Sequence, residues 1–158
     1  MFHVVLHRPE IPPNTGNLMR LCVNSGNRLH LIEPLGFTLD DARLRRAGLD
    51  YREYAEVSVH SSFPDFVAAV GPGRIWAFSQ HAERLYTEAR FEPGDVLLFG
   101  RESDGLPTDV IDHPAVGDRL RIPIAEGGRS LNLANAAAIA VYEAWRQNGF
   151  DSLEKSRP

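Results

Sequence analysis

The residues with a capacity for chemistry gather in a few short stretches. Residues 121–136 run Arg-Ile-Pro-Ile-Ala-Glu-Gly-Gly-Arg-Ser-Leu-Asn-Leu-Ala-Asn-Ala and read as a strand end, a glycine-bearing loop and the start of a long helix. Gly127 and Gly128 allow a tight turn and a close approach of backbone to a ligand. Ser130 can cap the helix, and Asn132 and Asn135, three apart, share a side of its first turns. Asparagine is a poor helix-interior residue, so the pair suggests a task. Residues 99–107, Phe-Gly-Arg-Glu-Ser-Asp-Gly-Leu-Pro, follow another strand, with Gly100 at its carboxyl end and Gly105 and Pro107 setting a second turn. Neither stretch meets the dinucleotide or P-loop glycine fingerprint, and neither has a phosphate-binding lysine. Such loops suit a ligand held by backbone amides and carbonyls, for instance a nucleoside. Each is described equally well as a plain strand-to-helix loop, although two in one small domain favour a shared ligand.

Two further stretches are basic. In Asn14-Thr-Gly-Asn-Leu-Met-Arg, Arg20 lies one helical turn beyond Gly16 and Asn17, placed to meet a phosphate or an RNA backbone. Arg43, Arg45, Arg46 and Arg52 come with Tyr51 and Tyr54, a basic patch with aromatics that suits nucleic acid. Spacing alone favours the plainer reading of both, a capped helix and a solvated helix face. The six histidines show no metal-binding spacing, and the single cysteine, Cys22, leaves no disulfide framework and no cysteine-rich zinc site. No serine has the setting of a hydrolase nucleophile. His3 and His7 read as the polar face of a strand, and Trp76 and Trp145 as core or interface.

The elements that must position these residues alternate. Strands are expected at 2–7, 28–32, 56–60, 75–79 and 95–99, with a further one running from Arg119 through Arg121, Ile122 and Ile124. Helices are expected from a cap at Asn14 or Thr15 to Gly26, at 40–47, at 62–70 with Pro64 in the first turn, in a turn at 107–111, and at 131–147 with Gly149 as the stop. Alternation with apolar later strands means an α/β fold with a mainly parallel sheet covered by helices on both faces. The 158 residues are expected to form a single domain, 1–150, with a polar tail at 151–158 expected to fray. A net charge of −4 argues mildly against generic nucleic-acid binding but leaves room for a local patch. No signal peptide and no apolar run of about 18 residues is present, so the default is a cytoplasmic protein that does not enter a membrane.

Three segments taken together resemble the motifs of the SPOUT-class RNA 2′-O-methyltransferases: Pro12-Pro-Asn-Thr-Gly-Asn-Leu-Met-Arg-Leu-Cys, Leu98-Phe-Gly-Arg-Glu-Ser-Asp-Gly-Leu-Pro, and Arg121-Ile-Pro-Ile followed by Arg129-Ser-Leu-Asn-Leu-Ala-Asn-Ala. The segments beginning Ile32-Glu-Pro-Leu-Gly-Phe and Asp40-Asp-Ala-Arg-Leu-Arg-Arg, with Val141-Tyr-Glu-Ala-Trp-Arg-Gln at the end, look most like the small branch that 2′-O-methylates the wobble nucleotide of tRNA, cytidine or modified uridine at anticodon position 34. The resemblance implies a C-terminal trefoil knot that binds S-adenosylmethionine and a homodimer with a shared active site. It implies no metal and, as partner, the tRNA anticodon stem-loop. By motif position Phe78, Gly100, Ile122 and Ser130 are expected to contact the cofactor, largely through backbone, and Arg20 to sit by the reacting ribose. Tyr142 matches a tyrosine linked to RNA methylation, and Arg43, Arg45 and Arg46 are expected to bind tRNA phosphates. Phe78 stands where relatives are expected to have a smaller aliphatic residue, and Glu126-Gly-Gly replaces a more polar loop. A ribosomal RNA target and a non-catalytic RNA-binding module remain the alternatives.

Overall fold

The computed structural model describes residues 1–39, 57–71 and 73–151. Among them six strands form one sheet: β1 (His3–His7), β2 (Arg28–Ile32), β3 (Val57–His60), β4 (Ile75–Phe78), β5 (Val96–Phe99) and β6 (Val116–Leu120). Their spatial order is β3-β2-β1-β5-β4-β6. Every pairing is parallel, so the expected mainly parallel sheet is wholly parallel among the described residues. The chain steps outward from β1 to β3 on one side and builds β4, β5 and β6 on the other. The order therefore reverses beside β1, where crossover loops diverge and leave a crevice at the carboxyl ends.

Both faces of the sheet are covered. Along β1, Val4 and Leu6 point to one face and Val5 to the other, all fully buried, as the two-residue period of a strand requires. On the first face α1 (Pro12–Ser25) and α4 (Leu133–Gln147) pack over β1, β2 and β5 with Leu18, Met19 and Cys22 from α1 and Ala137, Ala140, Val141 and Ala144 from α4. The alanines recur at helical spacing, and their small side chains let α4 close on α1 and the sheet. On the second face α2 (Phe63–Val70) and α3 (Thr108–Ile111) cover the sheet with Phe63, Phe66 and Val110. Burying one such phenylalanine contributes roughly 1.5–3 kcal/mol. Asp95, at the start of β5, ties the amino ends together by accepting from Trp76 Nε1 at 2.9 Å, Arg74 N at 3.2 Å and Glu92 N at 3.0 Å. None of the described helices is long and apolar enough to cross a membrane.

Three expected boundaries move. Helix α1 begins at Pro12, not after a cap at Asn14 or Thr15: the N-cap position is Ile11, whose side chain cannot accept a hydrogen bond. Proline at the first helical positions is favourable because the amide it lacks would have had no partner. Strand β6 starts at Val116 and stops at Leu120, so Ile122 and Ile124 lie beyond it. Helix α4 starts at Leu133 and is capped by Asn132, whose side-chain oxygen accepts from Ala134 N and Asn135 N, and not by Ser130. Ser62 caps α2 as its position suggests, accepting from Asp65 N. The helix expected at 40–47, with Arg43, Arg45 and Arg46, lies outside the described residues.

Candidate functional site

A cavity of about 690 Å³ opens at the carboxyl ends of the central strands. Its walls come from the segment after β1 (Ile11, Asn14), the end of β4 (Phe78), the loop after β5 (Gly100, Glu102) and the approach to α4 (Ile122, Ser130). Phe78 and Phe99, neighbours on β4 and β5, stack with ring centroids 4.7 Å apart and planes 18° from parallel, giving the cavity an aromatic wall. Gly100 is fixed by clearance: a Cβ there would lie 2.0 Å from the carbonyl carbon of Gly105. The turn packs on itself in this way because Arg101 and Gly105 exchange backbone hydrogen bonds of 3.3 and 3.0 Å. The loop thereby stays compact at the cavity wall, where Gly100, Arg101, Glu102 and Leu106 line the space. The rim carries an ion pair, Arg101 with Asp104, whose hydrogen bond raises the arginine's pKa and lowers the aspartate's.

One hydrogen-bonded chain joins all three loops. The Glu102 carboxylate accepts from Glu10 N at 2.8 Å, Ile11 N at 3.1 Å and Asn14 Nδ2 at 3.1 Å. Asn14 Oδ1 in turn accepts from Asn132 Nδ2 at 2.9 Å, while Asn132 caps α4. Glu10 returns the contact, its carboxylate accepting from Ser103 N at 3.0 Å. Glu102 thus takes the amides just ahead of α1 and the Asn14 side chain, and its negative charge sits favourably at the amino end of α1. Nothing in the sequence singles out Glu102 for this role. The available signal was a pair of amides, at Glu10 and Ile11, left ahead of two prolines, which need an acceptor from elsewhere in the chain.

The four residues expected at a cofactor, Phe78, Gly100, Ile122 and Ser130, all line this one cavity. Arg20 and Tyr142 do not. Arg20 is exposed on α1, and Tyr142, 47% exposed, stands on α4 edge-on to Trp145 with centroids 5.6 Å apart. Both belong to the outer faces of the two packed helices, with Val23 on α1 and Ile139 on α4 as exposed apolar neighbours. Asn132 and Asn135 separate: both are exposed, but only the first bonds to Asn14. His7 is not on a polar strand face. It is 3% exposed at the end of β1, and burial, helped by Arg8, pushes it down to about 4. No group of metal-ligating side chains forms among the described residues.

Comparison with known proteins narrows what this cavity holds. A sequence model of the SpoU rRNA methylase family matches residues 1–142. A tRNA (cytidine(34)-2′-O)-methyltransferase of Burkholderia ambifaria is 55% identical over 153 residues, covering 96% of this chain and 98% of that protein. A crystal structure titled as giving insight into 2′-OH methylation of C/U34 on tRNA superposes with a TM-score of 0.87 at 48% identity, covering 94% of this chain and 97% of the other. The SpoU methyltransferase AviRb of Streptomyces viridochromogenes, solved with S-adenosylmethionine, gives a TM-score of 0.80 at 25% identity, covering 92% of this chain and 60% of that one.

Proposed function

Because the chain belongs to the SpoU rRNA methylase family, we propose that it is an S-adenosylmethionine-dependent tRNA methyltransferase that methylates the ribose 2′-oxygen of the wobble nucleotide, cytidine or modified uridine at position 34. The observation that carries this reading is the cavity where the loops after β1 and β5 and the start of α4 meet and are bonded to one another. Its residues fit the cofactor. The volume is that of a small-molecule site, Gly100 lets the loop after β5 fold tightly onto its own Gly105 backbone at the cavity wall, and Phe78 offers an apolar surface to a nucleoside. S-adenosylmethionine, when bound, supplies an electrophilic methyl group on sulfur. Gly100 and Ser130 hold the nucleoside through main-chain groups, Phe78 and Ile122 exclude water, and the Glu102–Asn14–Asn132 chain keeps the loops in register.

The acceptor hydroxyl is a very weak acid and must lose its proton as the new bond forms. Arg20 serves that step electrostatically, holding the neighbouring phosphate and the oxygen's developing charge, since a guanidinium stays protonated in proteins. Arg20 stands on an outer helix face, away from the cavity of its own chain. The support is therefore for a homodimer in which α1 and α4 of two copies pack and each Arg20 serves the partner's cavity. Exposed Val23, Ile139 and Tyr142 supply the apolar surface for that contact, and Tyr142, Arg43, Arg45 and Arg46 the contacts to the anticodon stem-loop. The trefoil-knotted carboxyl end and a cytoplasmic setting belong to the same reading. Because the family takes its name from ribosomal RNA methylation, a ribosomal target is the second reading. Incubating the purified protein with labelled S-adenosylmethionine and total tRNA, or ribosomal RNA, decides between them. The expected label maps to a position-34 ribose; label confined to ribosomal RNA overturns the tRNA assignment.

A further inference from the structure

Three histidines form a row outside the cavity, on the sheet face covered by α2. His3 Nδ1 lies 2.9 Å from His30 Nε2, and His30 Nδ1 lies 3.0 Å from His60 Nε2. The row crosses from β1 through β2 to the outer strand β3 and meets Phe66 of α2 edge-on, with His30 and His60 centroids 5.2 and 5.3 Å from its ring. His30 is 4% exposed, and both its ring nitrogens are taken by its neighbours. His3 and His60 are half-buried and can reach solvent protons.

Proton counting sets what this row tolerates. A neutral imidazole has one N–H and one bare nitrogen. Three neutral rings therefore make both links by pointing the same way, each donating to the next. One added proton is also accommodated: with His60 protonated, it donates to His30 and His30 donates to His3, so the row reverses direction and keeps both links. A second added proton cannot be accommodated. With His3 and His60 both cationic, each presents an N–H to His30, which has only one bare nitrogen, and one link must break with two cations against a buried ring. The surroundings give little relief. Arg28 on β2 and the amino terminus stand near His3, and Arg28 also acts on His30. Among the described residues, the one acidic group acting on the row is Asp65 of α2, on the His60 side. His113 contacts Phe63 instead of the row, and His7 is set apart from it by two positions of β1 beyond Val5.

We infer that this row is a two-proton acid latch, holding β3 and α2 on the sheet while it carries at most one extra proton and releasing them at the second. The cavity, formed by the ends of β1, β4 and β5 and by α4, lies outside the released elements.

Hydrogen exchange of the full chain, followed by mass spectrometry from about pH 7 to about pH 5 and corrected for intrinsic exchange, tests this. The expected result is a loss of protection of about tenfold or more in the peptides of β3 and α2, with a pH steepness of about two protons, while α4 stays protected. His60→Gln keeps a group that can donate or accept without titrating and is expected to abolish that step. Should the variant fail to fold, nitrogen-15 titration of the wild-type rings decides the matter: coupled steps support the latch, whereas three independent titrations near the ordinary histidine value overturn it. Loss of protection in α4 together with β3, or an unchanged step in His60→Gln, likewise overturns it.

Discussion

At the scale of single residues, charge geometry and acceptor count decide the outcomes. Replacing Arg20 with lysine keeps the charge but loses the planar fork that can hold a phosphate and an oxyanion together. The expected loss in turnover is roughly 100-fold, with cofactor affinity unchanged in a calorimetric titration. Glu102→Gln swaps one carboxylate oxygen for a donor, which then faces an amide already donating to it. That change is expected to cost about 1–3 kcal/mol of stability in urea unfolding and to weaken S-adenosylmethionine binding in the same protein. Phe78, Gly100, Ile122 and Ser130 were grouped by resemblance to family motifs, and they line one cavity because Phe78 ends β4 and the other three lie just beyond strand ends or before α4. Glu102 was not, since its role depends on an amide-rich helix start that precedes it by some ninety residues in sequence. No local pattern encodes that meeting.

Among the elements, α4 gives the sharpest test. Asn132→Ala removes the oxygen that caps the helix and leaves Asn14 without its donor, so an unfolding loss of about 1–2 kcal/mol is expected. Ser130→Ala is expected to leave helix stability unchanged within about 0.5 kcal/mol, because Ser130 is not the cap. Equal losses from the two substitutions, measured by thermal melting, would return the cap to Ser130. Both residues are good cap formers two positions apart, and only the contact between Asn132 and Asn14 decides between them. Strand β6 departs from its expected position for a comparable reason. Ile122 and Ile124 alternate as a strand does, but Pro123 between them has no amide to give to a ladder. Gly117 and Asp118 disguise the true strand, which forms because β4 is there to pair with it. The parallel sheet itself was readable, because buried β4 and β5 are apolar along their whole length.

For the molecule as a whole, stability is expected to fall with acid. Burial pushes His7 down to about 4 and His30 to about 3, below the ordinary 6.5. Between those values and 6.5 the unfolded chain binds protons that the folded chain refuses. Stability is therefore complete above pH 6.5 and is lost as pH falls toward 4, at a slope approaching about 1.4 kcal/mol per pH unit for each group. Urea unfolding at a series of pH values checks the sign: a midpoint that rises on acidification contradicts the burial of these rings. The proposed homodimer carries the other global prediction. Ile139→Glu places a charge on the exposed apolar face of α4 and is expected to yield monomers by sedimentation, with methyl transfer lost and cofactor binding kept.

Gly100 and Gly127 are both glycines of the site region, yet they would diverge in a saturation library. Gly127 has φ 76° with open space where a side chain would go, so asparagine is a tolerable replacement there. Gly100 has no unusual φ but meets the Gly105 backbone at once. Every other amino acid, alanine included, would have to spread that loop, so a tolerance profile of position 100 should be blank and that of position 127 should keep a few small polar letters. The contrast distinguishes a glycine needed for its dihedral freedom from one needed for its emptiness.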